Sequence, residues 1–331
     1  MKKETLVLLD FSNIMYSTFF VVVGNCTDND IIFNEKVPLW KHLILNTIIS
    51  YARKFKVDTK NIVLCYDEKY VWRNDEFEYY KKNRRKGRDE SPIDWKRFFN
   101  EMDVFKKELN ENFPLMSLQV EKGEADDTIY ILSKKLNQKY NIIVASMDKD
   151  LKQVLKFKNV RFYNIKRNGS GKFINIDIRE FDSMLEAHIL SGDVSDGIPN
   201  FLSDEDTFMN DSKRSKPLGA KKIAKILELG LDSYLTSSKI KQRYLQNARL
   251  IDMSFIPEYV EKNIEKGFIK EMKKDKSWKK AIAWLKENKM KNILNDLEKD
   301  FISDSLNSAK KSMSKWSKKI KENKSNMKEL F

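Results

Sequence analysis

Nine carboxylates stand in tight groups along the chain: Asp10, Asp67, Glu124 with Asp126 and Asp127, Asp148 with Asp150, and Asp193 with Asp196. So many anions in one crevice would repel and be driven to protonate unless cations sat among them. Cys and His are absent from every one of these motifs. Oxygen donors select hard ions such as Mg²⁺ or Mn²⁺ over structural zinc. Two such ions roughly 3.5–4 Å apart can activate a water, bridge a phosphodiester oxygen and stabilise the leaving oxyanion, with no side-chain nucleophile. Each group also has an ordinary reading. An Asp after a strand caps the following helix, and acids in a first turn are favoured by the helix dipole. Their joint occurrence at successive element boundaries is what favours a cation cluster.

The elements that must position these acids are legible as an alternation of short apolar runs and helical patterns, an α/β fold with a mostly parallel sheet flanked by helices. Strands are expected at Thr5 to Leu9, Asn61 to Tyr66, Met116 to Val120, Ile142 to Ala145 and Val160 to Tyr163. Helices are expected over Leu39 to Lys56 and Asp127 to Gln138, each with an apolar face. In a parallel sheet all carboxyl ends share one edge, which brings Asp10, Asp67, Glu124, Asp126, Asp148 and Asp150 together. Asp193 and Asp196 lie in the Gly-punctuated turn Ser191-Gly192-Asp193-Val194-Ser195-Asp196-Gly197, which could fold back on the same edge. Residues 68 to 100, aromatic and charged without a clean apolar stripe, read as a protruding, partly helical insertion. The expected organisation is an α/β core over 1–180, a helical region over 181–305 and a basic tail over 306–331.

Composition bounds the rest. With 331 residues, 41% of them apolar, the chain can bury a large core. No apolar run approaches the ~20 residues that span a bilayer, and Met1-Lys2-Lys3-Glu4 leads into a strand-like run instead of a secretory leader. A cytoplasmic protein without membrane contact is expected, monomeric by default. The two cysteines, Cys26 and Cys65, provide no disulfide framework. His42 and His188 lie in helix-like stretches and are read as packing or surface residues. Lys and Arg total 63 against 49 Asp and Glu, a formal +14, which suits a polyanionic partner. The charge is concentrated. The run Lys81-Lys82-Asn83-Arg84-Arg85-Lys86-Gly87-Arg88 places six cations in eight positions, and the tail from Ser305 has eight Lys against two Glu. A solvated helix face is the plain alternative for the first run, and a loose solvated end for the second.

The stretches Leu8-Leu9-Asp10-Phe11-Ser12, Ile62 to Asp67, Tyr79 to Arg84, Glu124-Ala125-Asp126-Asp127, Ser146 to Asp150 and Gly192 to Asp196 together resemble the structure-specific 5′ nucleases, the family of flap endonucleases and of the nuclease domain of bacterial polymerase I. The resemblance covers most of residues 1 to 265. It implies a PIN-like nuclease core with a helical arch insertion and a helical carboxyl-terminal region carrying a helix-turn-helix-type loop. It also implies that Asp10, Asp67, Glu124 and Asp126 gather around one divalent cation and Asp148, Asp150, Asp193 and Asp196 around a second, with Asp127 close by to orient water or a ligand. Lys81 and Arg84 would reach the scissile phosphate from the arch, where a cation steadies charge that grows in the transition state. Lys82, Arg85, Lys86 and Arg88 would add nucleic-acid contacts. The segment Lys216 to Lys225 resembles the family's duplex-gripping loop, with Gly219 admitting a phosphate and Lys221 or Lys222 adding attraction. Here Asn200 to Ser215 intervene between the last acids and that loop.

The function expected from these features is a Mg²⁺-dependent 5′→3′ exonuclease with 5′-flap endonuclease activity. It would act on RNA or DNA 5′ ends in duplex, forked or RNA/DNA hybrid substrates, as in primer removal. A PIN-like endoribonuclease shares the carboxylate logic but not the second acidic pair or the arch-like insertion. A non-catalytic fork-binding accessory would be expected to have lost carboxylates, and all the matched positions are acidic. The basic tail is also readable as a docking segment for a single-strand-binding protein or sliding clamp.

Overall fold

The sheet is built from β1 (Thr5–Asp10), β2 (Ile62–Tyr66), β3 (Met116–Gln119), β4 (Asn141–Ser146), β5 (Val160–Ile165) and β6 (Gly171–Ile174), in the computed structural model, which describes residues 3–166, 170–275 and 277–297. The side chains of Lys86, Ile178 and Arg179 and the basic carboxyl-terminal tail lie outside this description. Strand order is β3-β2-β1-β4-β5-β6. The first five strands run parallel and β6 returns antiparallel to β5. Leu9 pairs with Leu64 on one side and Ala145 on the other, so β1, β2 and β4 end at one level. Chain order reverses between β1 and β4, the place where open α/β sheets bind ligands. The five expected strands are all present. β6 escaped the reading because its four residues carry no alternation, and pairing with β5 is what makes them a strand.

Helices alternate with the strands and follow them along the chain. They are α1 (Phe11–Val23), α2 (Asn29–Ile31), α3 (Val37–Phe55), α4 (Trp72–Glu76), α5 (Asn83–Asp89), α6 (Trp95–Asn112), α7 (Ala125–Leu136), α8 (Ile178–Ser191), α9 (Ala220–Leu229), α10 (Ser238–Ile251), α11 (Glu258–Met272) and α12 (Trp278–Glu287). The strand residues Leu6, Leu8, Val63, Cys65, Leu118, Ile142 and Val144 share a core with Ile129 and Leu132 of α7 and with Val260, Ile264 and Phe268 of α11. The late helical region is therefore packed on the sheet, since α11 completes the apolar cover of the β3 edge. Two compact units are separated after residue 276, with α12 in the second. This division differs from the expected helical region over 181–305. No helix among the described residues is long and apolar enough to cross a membrane.

The insertion at 68 to 100 needs a correction. Trp72, Phe77 and Tyr80 are buried, with Phe77 and Tyr80 packed against Ile189, Ile198 and Leu250. Only the segment around α5 is mainly exposed. Burying each large aromatic is worth roughly 2–3 kcal/mol, so the first part of the insertion is anchored in the core and does not protrude. The lack of a stripe misled because two separate clusters take these rings, Trp72 in one and Phe77 with Tyr80 in the other.

Candidate metal centre

Asp10 is the last residue of β1 and the first acid of the site. Its Oδ1 accepts from the Asn13 amide at 3.2 Å, capping α1, while Oδ2 accepts from Ser146 Oγ at 2.7 Å. Capping and site roles thus coexist in one carboxylate, with one oxygen for each. Ser146 ends the neighbouring β4, and its Oγ also accepts from the Asp148 amide at 2.8 Å. A single hydroxyl therefore fixes the spacing between the acids of β1 and β4. Asp67 follows β2; its amide donates to Ser12 Oγ at 2.9 Å and its Oδ1 accepts from the Ala125 amide at 2.8 Å, tying it to the first turn of α7 beside Asp126.

The electrostatics agree with crowding. Burial, together with Asp67 and Asp148, raises the Asp10 carboxyl to about 7 despite its Ser146 bond. Burial and then Asp148, Asp10 and Asp67 push Asp126 well above the carboxylate range. Burial raises Asp148 too, assisted by Asp196 and Asp193. Each of these acids feels others drawn from β1, β2, α7, the β4 turn and the 193–196 turn, which makes one field and not separate solvent patches.

Glu124 stands apart electrostatically. Burial opposes its charge, yet Lys81 and Arg73 hold its carboxyl down to about 2. Lys81 Nζ donates to Glu124 Oε1 at 2.5 Å and Arg73 Nη1 to Oε2 at 2.6 Å, with the Tyr80 hydroxyl on the same group. Tyr80 also donates within 3.0 Å of Asp196 Oδ2, and Arg84 pairs with Asp196 Oδ1. The Lys81 amide donates to the Asp196 carbonyl at 2.8 Å. The base of the insertion is thus sewn to both an α7 acid and the 193–196 turn. Lys81 and Arg84 lie at the acid cluster, and both engage its carboxylates.

Asp127 is placed differently from the expectation. It is fully buried, with Oδ1 taking Arg73 Nη1 at 2.8 Å and Oδ2 taking Trp72 Nε1 and the Glu124 amide, both at 3.0 Å. Enclosed by these donors, it has no room to orient water. Its geometry is that of a counter-charge that positions Arg73 and, through it, Glu124. Arg73 Nε in turn donates to the Leu250 carbonyl at 2.9 Å, linking α10 to the site.

The third group contains a residue expected from the sequence to be a packing or surface residue. His188, in the last turn of α8, has Nδ1 3.5 Å from Asp150 Oδ1 and Nε2 3.6 Å from Asp193 Oδ2. Burial and then Asp148 and Asp193 raise Asp150 to about 6, although His188 opposes them. Asp193 is driven low, against burial, by His188 and by Ser195, whose amide and hydroxyl both reach Asp193 Oδ1 at 2.7 Å. Gly192 makes this return possible. Its φ is +67°, and a Cβ there would stand 2.4 Å from the Ile198 carbonyl oxygen. At Gly197, with φ +74°, an added Cβ would stand 3.2 Å from Asn83 Oδ1 and 3.2 Å from the Tyr79 carbonyl oxygen. His188 escaped because no local pattern marks it, and only the fold of the following turn gives it carboxylate neighbours. Arg73 escaped for the same reason, while Ser146 and Tyr80 lie in stretches that carry the family resemblance and gain their acid partners only in the fold.

The expected nucleic-acid contacts are more loosely held. Lys82 pairs with Glu78 at 3.2 Å and Arg85 with Asp89 at 3.7 Å, both on exposed surface. Arg88 lies over the Phe99 ring at 5.8 Å. Gly219 is the N-cap of α9, with nothing within 4 Å of an added Cβ, and Lys221 and Lys222 follow it on the exposed face. Helix α9 is followed by a short 3-10 turn, Leu231–Ser233, and then by α10. In the intervening stretch Asp204 pairs with Lys239 at 2.6 Å and with Lys213 at 3.6 Å, and Asp206 with Lys213 at 2.6 Å, so these acids are neutralised locally.

Comparison with known proteins fits this arrangement. Residues 5–183 match the family model described as 5′-3′ exonuclease, N-terminal resolvase-like domain. The chain is 32% identical over 269 residues to a ribonuclease H of Enterobacteria phage T4, spanning 79% of this chain and 85% of that protein. It is 27% identical over 206 residues to a 5′-3′ exonuclease of Mycoplasmopsis pulmonis, spanning 60% and 62%. Among solved structures, a bacteriophage T5 flap endonuclease in a pseudo-enzyme-product complex with DNA and metal ions has the same fold (TM-score 0.56, 17% identity, 82% of this chain and 100% of that one). A T5 5′-exonuclease with bound zinc is comparably similar, at TM-score 0.55, 17% identity and the same coverage. By its matched amino-terminal half, its phage relative and its sheet with the acid cluster at the β1/β4 switch, the chain belongs to the 5′-3′ exonuclease family of nucleases.

Proposed function

We propose that this protein is a divalent-cation-dependent 5′→3′ exonuclease with 5′-flap endonuclease activity, hydrolysing RNA or DNA strands at the 5′ ends of duplex, forked or hybrid substrates, as in removal of RNA primers during phage DNA replication. It would act as a monomer in the cytoplasm of a bacterial host. The observation that carries this is the convergence of Asp10, Asp67, Asp126 and Asp148 in a pocket where burial and mutual repulsion raise the Asp10, Asp126 and Asp148 carboxyls. Such a donor set fits hard divalent cations, Mg²⁺ or Mn²⁺, and is electrostatically unfavourable without them. Asp10, Asp67, Glu124 and Asp126 would hold one cation, and Asp148, Asp150, Asp193 and Asp196 the other. When bound, the cations supply Lewis-acid activation of water and stabilisation of the leaving oxyanion.

The remaining chemistry belongs to the chain. Lys81 and Arg84 hold carboxylates of the cluster, and a scissile phosphate entering there would compete for them as a bidentate or point-charge anion. Ser146 keeps Asp10 and Asp148 at fixed spacing, and Arg73 with Asp127 keeps Glu124 oriented. Backbone amides at the start of α9, with Lys221 and Lys222, would grip duplex phosphates away from the cut. The test is digestion of a 5′-labelled flap with and without Mg²⁺, product lengths being read on a gel. The Asp126→Asn, Asp148→Asn double variant should lose several decades of rate. Full activity in that variant would defeat the assignment.

A further inference from the structure

Building on the reading of this pocket as a cation site, we infer that His188 is a direct ligand of the second cation, making that position a mixed nitrogen and oxygen site instead of an all-carboxylate one. Asp150, His188 and Asp193 come from three places: the turn after β4, the last turn of α8 and the bend beyond it. They form the one His/Cys/Asp/Glu group among the described residues in which a donor atom from each lies within 4.8 Å of the other two. Opposed ligands on an ion with ~2.1 Å bonds stand about 4.2 Å apart, so adjustment by roughly half an ångström closes the set around one ion. The three side chains are 24%, 23% and 16% exposed, which leaves an entry path.

The ring is held where it is by the fold. Its neighbours Ile189 and Leu190 are buried, and the Ile189 carbonyl accepts from Asn247 of α10 at 3.1 Å, so α8 cannot rotate the ring away. The His188 carbonyl accepts from the Gly192 amide at 2.9 Å, and the positive φ of Gly192 sends Asp193 back beside the ring. Asp193 Oδ1 is taken by Ser195 and the Asp196 amide, which leaves Oδ2 turned toward His188. Each ring nitrogen faces a different carboxylate. Whichever nitrogen takes the ion, the other can donate its N–H to a carboxylate, the arrangement that fixes the tautomer of a metal-bound histidine. An imidazole ligand favours Mn²⁺, Co²⁺ or Zn²⁺ over Mg²⁺, because Mg²⁺ prefers oxygen.

The test uses Mn²⁺ alone as probe on the full, tag-free chain, whose two histidines are His42 and His188. Pulsed EPR should detect ¹⁴N coupling to bound Mn²⁺ in wild type and in His42→Gln, and none in His188→Gln. Calorimetry should find Mn²⁺ affinity at one site about tenfold or more weaker in His188→Gln, with Mg²⁺ affinity moved by a much smaller factor. Bound Mn²⁺ with no ¹⁴N coupling in wild type would overturn the inference and leave the nuclease reading standing. Equal loss of Mn²⁺ and Mg²⁺ affinity would likewise reduce His188 to a counter-charge. Failure of wild type to bind Mn²⁺ at all would instead sink the cation pocket itself. Should His188→Gln not fold by circular dichroism, the wild-type and His42→Gln spectra still decide the matter.

Discussion

Removing cations should make this protein progressively less stable as pH rises from 5 to 8. A carboxyl whose folded pKa exceeds its unfolded value binds more protons when folded, so its contribution is greatest below pH 4 and drains as pH climbs through the folded value. Asp10 moves from 3.8 to about 7 and Asp150 from 3.8 to about 6, while Asp126 and Asp148 move the same way. At 1.36 kcal/mol per unit, Asp10 alone represents on the order of 4 kcal/mol over its whole shift, of which roughly 3 kcal/mol is lost above pH 5. The acids share their mutual repulsion, so their separate shifts do not add. Glu124 and Asp193 are shifted down, and their contributions are lost only below the ordinary carboxylate range, outside this window. For a unit of this size a few kcal/mol corresponds to roughly 10 °C in Tm. Calorimetry in chelator at pH 5, 6, 7 and 8 should show wild type losing about that much relative to Asp10→Asn, which cannot ionise. Mg²⁺ should restore wild type at pH 8 and do little at pH 5. Parallel curves for the two proteins, or a Mg²⁺ effect independent of pH, would refute the reasoning.

Replacing Arg73 by Met leaves Glu124 and Asp127 buried without their shared cation, and denaturant unfolding should register a loss of about 3–5 kcal/mol. Gly192→Ala combines a left-handed backbone with a Cβ 2.4 Å from a carbonyl oxygen; urea midpoints should drop by at least ~2 kcal/mol equivalent, and Mn²⁺ affinity should fall with the displaced Asp193. Neutralising Lys81 and Arg84 together should slow flap cleavage far more than it weakens duplex binding in a filter assay. Equal losses in both would make them general phosphate contacts. Duplex affinity through α9 should decline steeply with salt, and Lys221→Ala with Lys222→Ala should flatten that slope by about two ion equivalents.

The parallel sheet and its acid edge were legible because both depend on local periodicity: an apolar run such as Leu6 to Leu9, buried on both faces, is a parallel strand wherever it occurs. An acid closing such a run is delivered to the common edge, so Asp10, Asp67, Glu124, Asp126, Asp148 and Asp150 could be grouped without coordinates. Tertiary structure decided matters that depend on which surfaces meet. Trp72, Phe77 and Tyr80 looked displayed and are buried, because α8 and α10 supply part of the cover at a distance of more than a hundred residues. Asp127 and Asp126 are adjacent in sequence, yet a helical turn of 100° per residue sends one into Arg73 and the other into the pocket. His188 has no acid beside it in the chain and gains two only when the Gly192 bend folds Asp193 back toward the β4 turn. The chain's periodicity determined the elements and the edge they share. The long-range packing of α8 and α10 chose which side chains at that edge face one another, since contact between distant segments leaves no repeat in the sequence to read.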